Sequence, residues 1–181
     1  HRKWSIDGPL RTALAHRATG LANIPAERVW GELSRLLDAP LADHALTLMH
    51  EDGVLQDHLV DRHPAAAGLD AFHGERGLGE ERLALLLSDQ TGPEVEVILR
   101  ALTAPKRVVQ RVRRLVAGLR ASPPKAARDV RVLRYRWGED VEVMLRMTRA
   151  LEGLGASRGW ATAQDLVAST PPARVHEPLL D

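Results

Sequence analysis

Cysteine is absent from this 181-residue chain, which excludes disulfides and thiolate metal sites. Phe and Tyr occur once each and runs of β-branched residues are few, so little in the composition favours sheet. No apolar run approaches the roughly 18–20 residues that span a bilayer, and the opening HRKWSIDGPL is not a signal peptide. These absences predict a chain with no membrane segment, with the cytoplasm as its compartment. An initiator Met is missing as well, which reads as a piece of a longer protein or a processed form. No His-Glu-x-x-His motif occurs, and Gly74, Gly77 and Gly79 neither follow a strand nor open onto a Lys-Ser/Thr pair. Zinc-protease and phosphate-loop chemistry are therefore excluded. The few serines lie outside any strand-to-helix elbow, which argues against nucleophilic catalysis.

What is present is helical patterning. Hydrophobic residues make up 44% of the chain, enough for a sizeable core, and 14 Gly and 11 Pro punctuate it. The reading is all-α, an elongated multi-helix architecture. A first helix follows Asp7-Gly8-Pro9, with Leu10, Ala13, Leu14, Ala18 and Leu21 near one face and Arg11, His16 and Arg17 facing solvent. Pro25 then starts a second helix whose Val29, Leu33, Leu36 and Leu37 share a face beside Trp30. Glu32 can pair with Arg28 or Arg35 on its surface. After a break at Asp38 to Pro40, Leu41, Ala45, Leu48 and Met49 repeat the pattern up to a stop at Gly53.

The order Pro25-Ala-Glu-Arg-Val, Glu32-Leu33, Leu36-Leu37, a Pro-containing break, Ala45-Leu46, Leu48-Met49 and Gly53-Val54-Leu55 resembles the neck-to-body region of bacterial tRNA nucleotidyltransferases, the CCA-adding enzymes, and of the related poly(A) polymerases. The close resemblance covers about residues 20 to 60, and a looser one extends toward residue 150. Pro64, Gly68, Gly74, Gly77 and Gly79 mark 63–79 as an irregular connection or a short helix between breaks, and the resemblance then implies neck-like and first body helices over 1–62 and body and tail helices over 80–181. In that family a separate, strand-rich head carries the paired carboxylates, and Mg and nucleotide triphosphates belong there. No head motif occurs in this chain, so the resemblance carries over no catalytic residue, cofactor or metal ligand.

Charge divides the chain. Between residues 38 and 99 the acids outnumber Arg62, Arg76 and Arg82 more than fourfold, which is unsuited to binding phosphate. His44, His50, His58, His63 and His73 lie in this half without metal-ligand spacing, and Asp57-His58 is not the His-Asp order of a phosphohydrolase centre. EERLALLLS at 80–88 is too continuously apolar for an exposed helix, and another helix begins at Pro93. From Arg100 to Arg136 twelve cations face Asp129 alone. Val108, Val109, Val112, Leu115, Val116 and Leu119 form a buried face there, as do Val130, Leu133 and Trp137 after Pro123-Pro124.

The two basic helices predict a stripe that binds RNA phosphates through Lys106, Arg107, Arg111, Arg114, Arg128, Arg131 and Arg134, with Tyr135 or Trp137 available for stacking. Internal pairing with the acidic half is the competing use of these cations. The resemblance agrees with RNA binding, since the family's body and tail helices grip the tRNA acceptor arm through its backbone while a separate head adds nucleotides to the 3′ end. The alternative is a helical protein-interaction module with no RNA role, using the acidic half or the surface around Trp30. Downstream, 138–153 reads as an amphipathic helix with Met144 and Met147 as core fillers, GLGASRGWAT as a loop, and TAQDLVAST as a last short helix.

Overall fold

α4 (Gly79–Leu86) lies at the centre of the protein, and Glu81 to Leu87 are all buried. The computed structural model describes residues 7–18, 23–52, 54, 59, 66–153 and 159–171. Among these the regular elements are all helical. The other helices are α1 (Gly8–Ala18), α2 (Ala26–Leu37), α3 (Ala42–Glu51), α5 (Gly92–Ala101), α6 (Lys106–Leu119), α7 (Ala127–Trp137), α8 (Val141–Gly153) and α9 (Trp160–Ser169). Short 3₁₀ turns occupy Ala66–Phe72 and Gly138–Asp140. α4 packs on α2, α6, α8 and the 66–72 turn, while α5 packs on α6 and α9 on α7 and α8.

The continuous apolar run Leu83 to Leu87 is explained by packing of α4 against these four neighbours. Arg82 immediately precedes that apolar run and is itself 0% exposed. Its guanidinium donates to the carbonyls of Leu37 at 2.6 Å, Phe72 at 2.7 Å and Glu75 at 2.9 Å. Burial lowers its pKa, and the carbonyls at the ends of α2 and of the 66–72 turn supply the partial negative charge that holds the cation. Gly74 and Gly77, both at positive φ, bring the adjoining loop against the α2–α3 break, donating to the carbonyls of Pro40 and Asp38. The glycine-rich stretch thus contains an ordered turn with Leu69 and Phe72 in the core. Arg146 of α8 stacks over Phe72, 4.5 Å from the ring centroid, and holds the Glu75 carboxyl below its usual range.

The apolar faces read from the sequence in α6, α7 and α8 are buried, including both methionines of α8. In α2, Leu33 and Leu37 are buried, Val29, Trp30 and Leu36 partly so, and Arg35 pairs with Glu32 at 2.9 Å. In α3 the buried residues are Ala42 and Leu46, not Leu41, Ala45 and Leu48. Tight turns at the break, Ala39 to Leu36 and Ala42 to Ala39, reset the helical phase before α3 starts. The stop at Gly53 lies outside the described residues. α1 also differs from expectation: Leu10 is 51% exposed, and Arg11 is bound to Glu51 at 2.6 Å and Asp52 at 2.8 Å. Trp160, expected in a loop, opens α9 fully buried and stacks on Trp137 with centroids 6.1 Å apart. Gly118 permits the close approach of α6, α7 and α8, since a Cβ there would press into Met144 and stand 3.1 Å from Trp137.

α5 begins at Thr91, whose N–H and hydroxyl donate to Glu94 at 2.6 and 2.7 Å, with Pro93 in the first turn. It ends in a pair of reversed hydrogen bonds, Thr103 N–H to Arg100 O and Ala104 N–H to Leu99 O, both 2.9 Å. That closure places Thr103 at φ 58°, a conformation costly for a β-branched residue. Because the Thr103 side chain is exposed, Thr103→Gly loses no packing. The expected gain is about 1 kcal/mol, or roughly 2–4 °C in melting temperature, and a thermal scan checks it.

Candidate nucleic-acid interface

α6 starts after Pro105, whose fixed φ suits the entry to a helix, and its alternation of Val and Arg turns one face to the core and the rest outward. The outward cations have different environments. Arg111 reaches across to α4, where it meets Glu80 at 2.9 Å and Glu81 at 2.5 Å, and to Asp140 at 3.1 Å. Burial opposes its charge, but the three carboxylates outweigh burial and raise its pKa. Arg114 also binds Asp140, which is itself buried, so two arginines converge on one carboxylate. Arg113 binds Glu96 of α5, which also takes Arg100. Arg120 donates to the carbonyls of Ser88 and Asp89. Glu80, Glu81 and Glu96 come from the acidic half of the sequence, whereas Asp140 lies beyond the basic stretch.

On α7, Arg134 donates to the carbonyls of Val167, at 2.8 Å, and Thr170, at the C-terminal end of α9, where the helix dipole favours a cation. Lys106, Arg107, Arg128 and Arg131 make no ion pair with any described residue; Lys106, Arg107 and Arg128 are exposed and Arg131 is half-buried. The residues singled out from the sequence therefore divide three ways. Arg111 and Arg114 are held by carboxylates, Arg134 by carbonyls, and the other four by no carboxylate of the described residues.

These four lie in two places. Lys106 and Arg107 occupy the start of α6, and Arg107 stands roughly 17 Å along the helix from Gly118, near Trp137 of α7. Arg128 and Arg131 lie on α7, which packs on α8 and α9. Beside Arg107 a groove of about 470 Å³ runs between α2, α4 and α6, with Trp30, Ser34 and Asp38 on one wall and Glu80 and Arg111 on another. Asp38 is anchored there by the N–H of Gly79 at 3.0 Å. The half-buried Trp30 and the exposed Arg107 thus share one groove.

Of the two aromatic side chains considered for stacking, Trp137 is buried against Trp160 and unavailable, whereas Tyr135 is 79% exposed. Sequence periodicity separates them, because Trp137 falls in the register of Val130 and Leu133 and Tyr135 does not. Among the described residues no three His, Cys, Asp or Glu side chains cluster as metal ligands. His73 binds Asp43 at 2.7 Å. His58 and His63 lie outside the described residues.

The class defined by this arrangement is an all-α protein whose surface carries cations with no ion pair among the described residues, Lys106, Arg107, Arg128 and Arg131 among them, and a tryptophan-walled groove. Residues 5–64 match the family model described as the probable RNA and SrmB-binding site of polymerase A. The matched segment comprises about the first third of the chain, includes α1, α2 and α3, and supplies the Trp30 wall of the groove. It holds nine acids against five arginines, and Lys106, Arg107, Arg128 and Arg131 all lie beyond it. No curated protein and no solved structure matches the chain.

Proposed function

We propose that this chain is the RNA-binding helical region of a poly(A) polymerase-like or tRNA nucleotidyltransferase-like protein. It holds RNA, with the tRNA acceptor arm as the favoured partner, through backbone phosphates. A separate head domain, with its Mg and nucleotide triphosphates, then extends the 3′ end. The match of residues 5–64 to an RNA-binding model carries this reading. Lys106, Arg107, Arg128 and Arg131, which make no ion pair with a described residue, support it, because such cations release counterions when they meet phosphates. This chain's own contribution is grip and orientation.

Binding of a tRNA and of a sequence-unrelated RNA across a salt titration tests the reading. If the four cations meet phosphates, log affinity falls with log salt at a slope of about −3, with tRNA bound more tightly. Absence of binding at low salt overturns the proposal. It would favour a second reading, a protein partner on the acidic matched segment, for which the family description names SrmB beside RNA.

A further inference from the structure

The outward face of α7 combines features that the phosphate grip alone does not require. Arg128, Arg131 and Tyr135 follow one another at intervals of three and four residues and so share a face, opposite Val130, Leu133 and Trp137. Tyr135 is the chain's single tyrosine and presents 79% of its surface to solvent. Among the other described rings, Trp137 and Trp160 are engaged by each other and Phe72 by Arg146, while Trp30 lines the groove beside α6. The one acid of α7, Asp129, is turned back to the start of its own helix, where it accepts from the N–H groups of Lys125 at 2.9 Å and Ala126 at 3.0 Å. Neither arginine on the face meets a carboxylate of the described residues.

From these observations we infer that this face is a stacking subsite for an unpaired nucleotide of RNA, in which Tyr135 takes the base and Arg131 and Arg128 hold the phosphates beside it. Arg131 lies about 6 Å from Tyr135 along the helix axis and Arg128 about 10 Å, so both cations stand on the same side of the ring. A base offers its face to an aromatic ring only where it is not already stacked between neighbours, which commits the site to a single-stranded segment rather than a duplex. A phenol ring has no means of reading one base against another by stacking, so the site tolerates sequence. The charge of the face complements the phosphate backbone of that occupant and repels a basic peptide.

This inference rests on the RNA-binding reading, and one experiment separates the two. Affinities of the full chain for a labelled ten-nucleotide oligouridine and for an RNA duplex are measured for the unaltered protein, Tyr135→Ala and Tyr135→Phe. Tyr135→Ala is expected to weaken oligouridine binding about tenfold, with duplex affinity and salt slope unchanged, while Tyr135→Phe keeps single-strand affinity. Circular dichroism confirms that each variant is folded, as the exposure of Tyr135 leads one to expect. If the unaltered protein binds RNA but Tyr135→Ala binds oligouridine equally well, the subsite is overturned and the RNA reading stands. Equal losses on duplex and single strand, or the same loss in both variants, also overturn stacking. Failure of the unaltered protein to bind either RNA removes both conclusions.

Discussion

Arg82→Met is expected to lower the stability of the whole protein by about 3–5 kcal/mol, a large share of what a domain of this size possesses. The substitution preserves much of the side-chain volume, so cavity formation is a minor part of the loss. The dominant cost falls on the carbonyls of Leu37, Phe72 and Glu75, which would lose their donor. Unpaired buried carbonyls cost about 1–3 kcal/mol each, and water reaches this site poorly because Arg82 is enclosed. Arg82→Lys should recover only part of the stability, since an ammonium cannot spread donors over the span of a guanidinium fork. Urea unfolding followed by circular dichroism provides the measure, and an unchanged midpoint for Arg82→Met would sink the view that this side chain ties α4 to α2 and the 66–72 turn.

The second large effect separates cations that face outward from those that hold the fold. Combined Arg107→Glu, Arg128→Glu and Arg131→Glu should weaken RNA binding roughly 100-fold at low salt and flatten the salt dependence by about two units of slope. Stability should stay near that of the unaltered chain, because none of the three forms an ion pair with a described residue. Arg111→Glu should behave in the opposite way. It would place a fourth carboxylate against Glu80, Glu81 and Asp140, and breaking such an enclosed pair costs about 3–5 kcal/mol. Loss of RNA binding in that variant would therefore report unfolding. Normal RNA affinity in the triple variant would remove the phosphate-grip proposal, whatever Arg111→Glu does.

This contrast also shows what the sequence can disclose. The buried faces of α6, α7 and α8 were readable because helical periodicity is a local property that tertiary packing left undisturbed. α3 was misphased by about one residue because the turns at Ala39 to Ala42 reset the count, and no composition rule reports that angle. The charge of residues 100–136 was plain, but its division was not. Arg111 finds Glu81 thirty residues earlier and Asp140 twenty-nine later, through an arrangement that only the folded chain creates. Arg134 was less legible still, since its acceptors are main-chain carbonyls of α9. The exposure of Tyr135 against the burial of Trp137 could have been read from the register of α7 alone.

The clamp at Arg82 has a bearing on how this architecture can vary over evolutionary time. Its acceptors are carbonyl oxygens, identical whichever amino acid supplies them, so positions 37, 72 and 75 can drift without any compensating change at position 82. No pairwise covariation should mark that junction, in contrast to Arg111 and its carboxylates, where loss of one charge invites replacement of another. A search for coupled positions would thus pass over the more deeply enclosed of the two arginines and find only the one whose partners can mutate.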